Sequence, residues 1–152
     1  MIKENDLIIP FSLKDNNDEL FNIIDNKGLT IIYFYSKDNT SACTKQALGY
    51  KELYNEFNKL NVSIYGISRD NIKTHQNFIN KYELPFKLLY DENRIVTSNY
   101  SCLKEKNMYG KKVIGTLRSS FIIKDNIIIK ANYNVKAEED ALNNLNFIKN
   151  MK

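Results

Sequence analysis

Tryptophan is absent from this 152-residue chain, cysteine and proline occur twice each, and histidine once. Each scarcity excludes something. Two cysteines, Cys43 and Cys102, cannot build the disulfide framework of a small secreted protein, so each is either packing or chemistry. With one histidine, His75, and no cluster of ligands at helical or turn spacing, the sequence holds no pattern for a metal centre. No metal and no cofactor is therefore expected. Five glycines do not form a phosphate cradle either, since Gly110 and Gly115 merely bracket a lysine pair. No apolar run approaches the 18 or so residues that cross a bilayer. Charge of one sign is not concentrated: 22 basic and 18 acidic residues give a net +4, and the bases are interspersed with acids, a poor platform for nucleic acid. Residues 1–13 alternate acids and bases without a long apolar segment, unlike a secretory signal, so the cytoplasm is the expected location.

What is present is an ordinary globular composition. Apolar types make 43% and charged types 26%, and the length fits a single domain spanning 1–152. Residues 29–35 are short, β-branched, aromatic and almost continuously apolar, as in a strand buried on both faces. Across 43–60, Ala47, Tyr50, Leu53, Tyr54, Phe57 and Leu60 recur at three and four, one stripe of an amphipathic helix with Thr40 and Ser41 ahead of it as caps. The pattern predicts a strand over 62–68, a helix over 72–82 ended by Pro85, a strand over 86–90 and a short helix over 94–100. Residues 119–124 and 127–133, joined at Asp125 and Asn126, read as an antiparallel hairpin. A closing helix spans 137–151, with Glu138, Glu139 and Asp140 in its first turn and Ala141, Leu142, Leu145 and Ile148 inward. Alternating strands and helices followed by a hairpin and a helix imply an α/β fold, a central mixed sheet flanked by helices on both faces.

In such folds sites lie beyond the carboxyl ends of strands, where helices begin. Cys43 falls there. In the first turn of a helix a cysteine faces unpaired backbone N–H groups and the positive end of the helix dipole, both of which favour thiolate over thiol. The residues alone leave two readings open, a reactive nucleophile or a small core side chain. His75 reads as structural, on or beside the apolar stripe of its helix, and Tyr33 and Tyr35 as lining the sheet below the active-site turn. Arginine is the scarcer base, only Arg69, Arg94 and Arg118, which makes each one noticeable where lysine would serve on a solvated face.

The segment IIYFYSKDNTSACTKQA, residues 31–47, resembles the active-site segment of peroxiredoxins, in particular the bacterioferritin comigratory protein or peroxiredoxin Q branch. That branch has a tyrosine-rich strand, then Pro, three residues, Thr, two residues and the peroxidatic Cys. Thr40 and Cys43 stand at that spacing, with Ser36 in the proline's place. The resemblance continues through residues 66–93, GISRDNIKTHQNFINKYELPFKLLYDEN, and through 108–123, MYGKKVIGTLRSSFII, the segment bearing the family's active-site arginine. It covers nearly the whole chain, from the FSLKD at Phe11 onward.

The resemblance implies a thioredoxin-like fold and reduction of hydrogen peroxide or organic hydroperoxides. Cys43 is then the nucleophile, Thr40 a hydroxyl donor to the bound peroxide, and Arg118 a fixed cation and forked donor for the thiolate and the departing oxygen. Two departures stand out. The branch often carries a resolving cysteine five residues after the peroxidatic one, where this chain has Leu48, and an acidic residue two before that, where it has Gln46. Oxidised Cys43 must then be reduced by Cys102, by a small thiol or by a thioredoxin-like protein. Cys102 reads as a half-buried structural thiol, and a one-cysteine cycle in a monomer or weak dimer is the expectation. The alternative is a redox sensor that oxidises Cys43 without fast turnover. A disulfide exchanger needs CxxC, and Thr44, Lys45 and Gln46 follow Cys43.

Overall fold

The computed structural model describes residues 1–151. Its strands are β1 (Ser12–Asp15), β2 (Leu20–Asn22), β3 (Leu29–Phe34), β4 (Val62–Ser68), β5 (Lys87–Tyr90), β6 (Leu103–Met108), β7 (Lys111–Thr116), β8 (Ser119–Lys124) and β9 (Ile127–Asn132). The helices are α1 (Ser41–Glu52), α2 (Tyr54–Lys59), α3 (Ile72–Tyr82), α4 (Ile95–Asn99) and α5 (Asp140–Lys149). Seven strands form one sheet in the order β2-β1-β5-β4-β3-β8-β9. Its centre, β3, β4 and β5, is parallel, and β8, β9, β1 and β2 add antiparallel pairings. The mixed α/β architecture expected from the element order is the one observed.

Strand β3 shows how the sheet divides the core. Successive side chains point to opposite faces, so Ile31, Tyr33 and Tyr35 enter one cluster with Tyr50, Phe57, Phe78, Ala141 and Leu145 from four helices, while Ile32 and Phe34 enter the other. That second cluster packs under Val96 of α4 and the N-terminal Ile8 and Phe11. Gly66 of β4 makes room for this packing, since a Cβ there would lie 2.7 Å from Leu88 and 2.9 Å from the Tyr33 ring.

Several boundaries differ from the sequence pattern for identifiable reasons. The helix expected over 43–60 is two helices, broken at Leu53 (φ −97°, ψ 6°), although Tyr50 and Phe57 keep one buried stripe across the break. Helix α3, by contrast, keeps the expected bounds of 72–82 and ends ahead of Pro85 through Glu83 in the left-handed region (φ 51°). Helix α5 starts at Asp140, and Leu142, expected inward, is 52% exposed while Asn144 points in. Its inward positions are Ala141, Leu145 and Ile148 at i, i+4 and i+7, and Leu142 lies one step of the helical wheel beyond them. The hairpin turn at Asp125 and Asn126 uses two left-handed residues (φ 49° and 68°), as a tight two-residue hairpin turn demands. The β6–β7 hairpin has no counterpart in the sequence reading because all six residues of β6 are exposed, and alternation carries no signal where neither face is buried.

Candidate active site

Beyond β3 the chain makes a turn that sets Cys43 at the base of α1. Tyr35 OH donates to Asp38 Oδ1 (2.5 Å), the Asp38 N–H donates to Asp70 Oδ2 (2.8 Å), and Asn39 takes the left-handed conformation (φ 65°) that redirects the chain. Thr40 is extended (φ −83°, ψ 159°) and precedes α1. The helical ladder starts with Thr44 N–H donating to Thr40 O, so the amide of Cys43 is one of the N–H groups without an intrahelical acceptor. Thr40 does not cap with its side chain. Its hydroxyl instead donates to Lys37 O at 3.1 Å.

Arg118 reaches this turn through strand register. β8 runs antiparallel to β3 with Ser119 opposite Phe34, so the residue just before β8 lies beside the end of β3 from which the turn departs. Its guanidinium donates through Nη2 to Cys43 Sγ (3.4 Å) and through Nη1 to Gln46 Oε1 (2.7 Å). Ser36 Oγ lies 3.5 Å from the same sulfur, with either atom able to donate. Cys43 itself is 1% exposed. That burial pushes its thiol up, but hydrogen bonds from Thr40, the Lys37 backbone, Ser36 and Arg118 outweigh it and the thiol falls below its ordinary value. The single Thr40 proton has two claimants, Lys37 O in the ground geometry and the sulfur, and its share in this lowering requires it to turn toward the thiolate.

Below Gln46 lies a buried polar layer. Gln46 Nε2 donates to Asp140 Oδ2 (3.0 Å), which also accepts from Tyr50 OH (2.6 Å), and Ser120 Oγ donates to Asp140 Oδ1 (2.6 Å). Burial pushes the Asp140 carboxyl up, against the hydrogen bonds of Ser120, Tyr50 and Gln46 and the charge of Arg118.

Cys102 lies elsewhere. It is fully rather than half buried, sits in the core cluster on the opposite face of the sheet from Cys43, and donates to Tyr100 O (3.3 Å). Burial pushes its thiol up to about 12, only partly offset by Ser119. His75 is buried between Asp38 Oδ2 (2.6 Å) and Leu89 O (3.0 Å). With Asp38 and Asp70 it forms a group of three potential ligand side chains that the sequence spacing did not reveal. Its members are already hydrogen-bonded: both His75 nitrogens to those two partners, and Asp70 Oδ2 to Ser68 Oγ (2.7 Å) and the Asp38 N–H.

Residues 5–132 match the model of the AhpC/TSA family. The chain belongs to that family. Among its relatives, a bcp-type peroxiredoxin of Coxiella burnetii is 40% identical over 122 residues, 80% of this chain and 81% of the relative. Peroxiredoxin Bcp of Bacillus subtilis is 34% identical over 141 residues, 91% and 90% of the two chains. The solved bacterioferritin comigratory protein of Xanthomonas campestris, studied for its alkyl peroxide reduction activity, superposes with a TM-score of 0.89 at 32% identity, covering 96% of this chain and 98% of that one. The protein is thus a thiol-dependent peroxidase of the Bcp/peroxiredoxin Q branch with a thioredoxin-like fold.

In this peroxiredoxin the fold brings Cys43, Thr40 and Arg118 to one end of the sheet and leaves Cys102 out. Three further groups of the site went unrecognised in the sequence. Ser36 registered only as a missing proline, yet its hydroxyl faces the sulfur. Gln46 registered as a missing acid, yet its amide links Arg118 to a carboxylate. Asp140 registered as a first-turn acid at a helix start, although it is 2% exposed.

Proposed function

We propose that Cys43 is the peroxidatic nucleophile of a one-cysteine cycle that reduces hydrogen peroxide and organic hydroperoxides. The observation that carries the reading is a buried sulfur whose thiol is nevertheless lowered, with Arg118 Nη2 at 3.4 Å. The thiolate attacks one peroxide oxygen in line with the O–O bond, which breaks as the S–O bond forms. The other oxygen departs as hydroxide or alkoxide and takes a proton from water. Sulfur is oxidised to the sulfenic acid and the peroxide is reduced to water or alcohol. Negative charge grows on the departing oxygen, and Arg118, the Thr40 hydroxyl and the Cys43 amide supply donors on that side.

The sulfenic acid then condenses with an external thiol, releasing water and leaving a mixed disulfide, and a second thiol returns Cys43 to its reduced form. A small thiol or a thioredoxin-like protein fits this role. Burial of Cys102 in the opposite core cluster, with its thiol held protonated, supports an external reductant. A disulfide also needs Cα atoms within about 7 Å. One chain supplies every group of the site, in keeping with a single 1–152 domain working as a monomer or weak dimer. A thiol-dependent cycle suits the reducing cytoplasm.

The test is peroxide consumption with a thioredoxin-type protein, glutathione or dithiothreitol as reductant. Cys43→Ser is expected to abolish it, because a serine hydroxyl is not ionised at neutral pH. Residual turnover above about a tenth of wild type, the scale of a single tenfold barrier change, refutes the assignment. Oxidation that stops after one equivalent with every reductant favours the sensor reading over the peroxidase cycle.

A further inference from the structure

The donors and acceptors around Gln46 admit one arrangement. A guanidinium only donates and an ionised carboxylate only accepts, so the amide between them must turn Oε1 to Arg118 (2.7 Å) and Nε2 to Asp140 (3.0 Å). Asp140 cannot drift. Tyr50 OH from α1 and Ser120 Oγ from β8 each hold one of its oxygens at 2.6 Å, and Asn144 Nδ2 bridges the Tyr50 and Ser120 hydroxyls at 2.9 and 3.1 Å. Asn132 in β9 fixes Asn144 in turn, donating to its Oδ1 at 2.9 Å. Gln46, Tyr50, Ser120, Asp140 and Asn144 are all buried.

A buried carboxylate is expensive to keep for stability alone, because apolar side chains of similar volume fill such space at lower desolvation cost. This one has a geometric consequence instead. With Nη1 pinned on Gln46, the flexible arginine presents Nη2 to the sulfur rather than to solvent. We propose that Asp140 is a positioning residue for peroxide reduction, fixing the Gln46 amide so that Arg118 is held against Cys43. The proposal rests on the roles given above to Cys43 and Arg118. The titratable groups facing the Gln46–Asp140 pair are Arg118 before β8, Tyr50 and Cys43 on α1, and Tyr33 on β3.

The test inverts the pair. Gln46→Glu sets a second carboxylate where Nε2 now stands 3.0 Å from Asp140 Oδ2, and like charges so close share a proton that is lost as pH rises. The rate constant for peroxide reduction is expected to fall about tenfold or more, with a descending limb in the pH profile that the wild-type protein lacks. Asp140→Asn alone keeps an oxygen for Gln46 Nε2 and should slow the reaction by less than about threefold. Gln46→Glu combined with Asp140→Asn restores one acceptor and one donor in reversed order. Its rate should return to within about threefold of wild type, with the descending limb gone. A combined variant as slow as Gln46→Glu, or a Gln46→Glu variant with an unchanged rate and pH profile per folded molecule, overturns the proposal.

Should Gln46→Glu not fold, Asp140→Ala carries the test. Release of the amide should slow peroxide reduction about tenfold, and an unchanged rate overturns the proposal. Arg118→Ala separates the two levels. If that variant is fast, the underlying reading of the site has failed. If it is slow while the Gln46 and Asp140 variants match wild type, only the positioning inference has failed.

Discussion

Removing the Arg118 guanidinium by Arg118→Ala strips one charge-assisted donor from the sulfur and the opposing donor from Gln46. A hydrogen bond to a charged group contributes roughly 1.5–3 kcal/mol, and each ~1.4 kcal/mol of barrier is tenfold in rate. The thiolate contact alone therefore accounts for roughly 10- to 150-fold. In the proposed cycle the same group also faces the departing oxygen, where loss of one preorganised donor slows reactions by about 100- to 1,000-fold. The two effects overlap in one transition state, so the expected loss is about 100-fold. They separate by pH. Burial raises the Cys43 thiol and the remaining Thr40, Lys37 and Ser36 hydrogen bonds no longer offset it as fully, so the thiolate titrates at higher pH in the variant. Raising the pH should recover the part of the loss due to thiolate population, while the part due to the departing oxygen persists. Arg118→Lys should fall between, since lysine restores charge but not the two-pronged fork that spans Gln46 and the sulfur. The assay is stopped-flow peroxide reduction across pH, beside the pH dependence of Cys43 alkylation. Unchanged values in both for Arg118→Ala would refute the reasoning.

Cys102→Ala should leave peroxide turnover unchanged while lowering the melting temperature. In the folded protein the Cys102 thiol is raised from 9.0 to about 12, by burial. A group raised on folding contributes stability that is full below its unfolded value and is lost as pH climbs toward the folded one. The gap in melting temperature between wild type and Cys102→Ala should therefore narrow above pH 9, and a gap independent of pH contradicts the burial argument. His75→Ala removes the 2.6 Å partner of buried Asp38 Oδ2 and leaves Tyr35 OH on Oδ1 alone, and stripping a partner from such a buried acceptor destabilises by roughly 1–3 kcal/mol. A denaturant melt with under ~1 kcal/mol of loss would show that Asp38 is compensated another way.

Legibility in the sequence followed burial. Strand β3 could be read directly because it is continuously apolar and buried on both faces, and helix α3 because its apolar residues recur along one side. The same rule placed Cys43 at a helix start. Arg118 was different: it lies 75 residues from Cys43 and meets it only through the β3–β8 register, so spacing alone could not join them and the resemblance to a family did. Asp140 does stand in the first turn of α5, but its burial went unseen because an acid at a helix N-terminus has the same sequence appearance exposed or buried. The β6–β7 hairpin escaped because residues on both of its faces are solvated. Leu142, expected inward, is exposed, while the polar layer under Arg118 recruits the Asn144 amide to the inward face of α5.

The central claim, that Cys43 alone carries the oxidation and an external thiol removes it, meets its most direct test in a single-turnover trapping experiment. The reduced protein is treated with one equivalent of hydrogen peroxide in the presence of dimedone, alkylated, digested without reduction and mapped by mass spectrometry. A dimedone adduct on Cys43, marking sulfenic acid, is expected, with Cys102 recovered as the alkylated free thiol after unfolding. A dominant Cys43–Cys102 disulfide within one chain, or oxidation of Cys102 with Cys43 untouched, would contradict it.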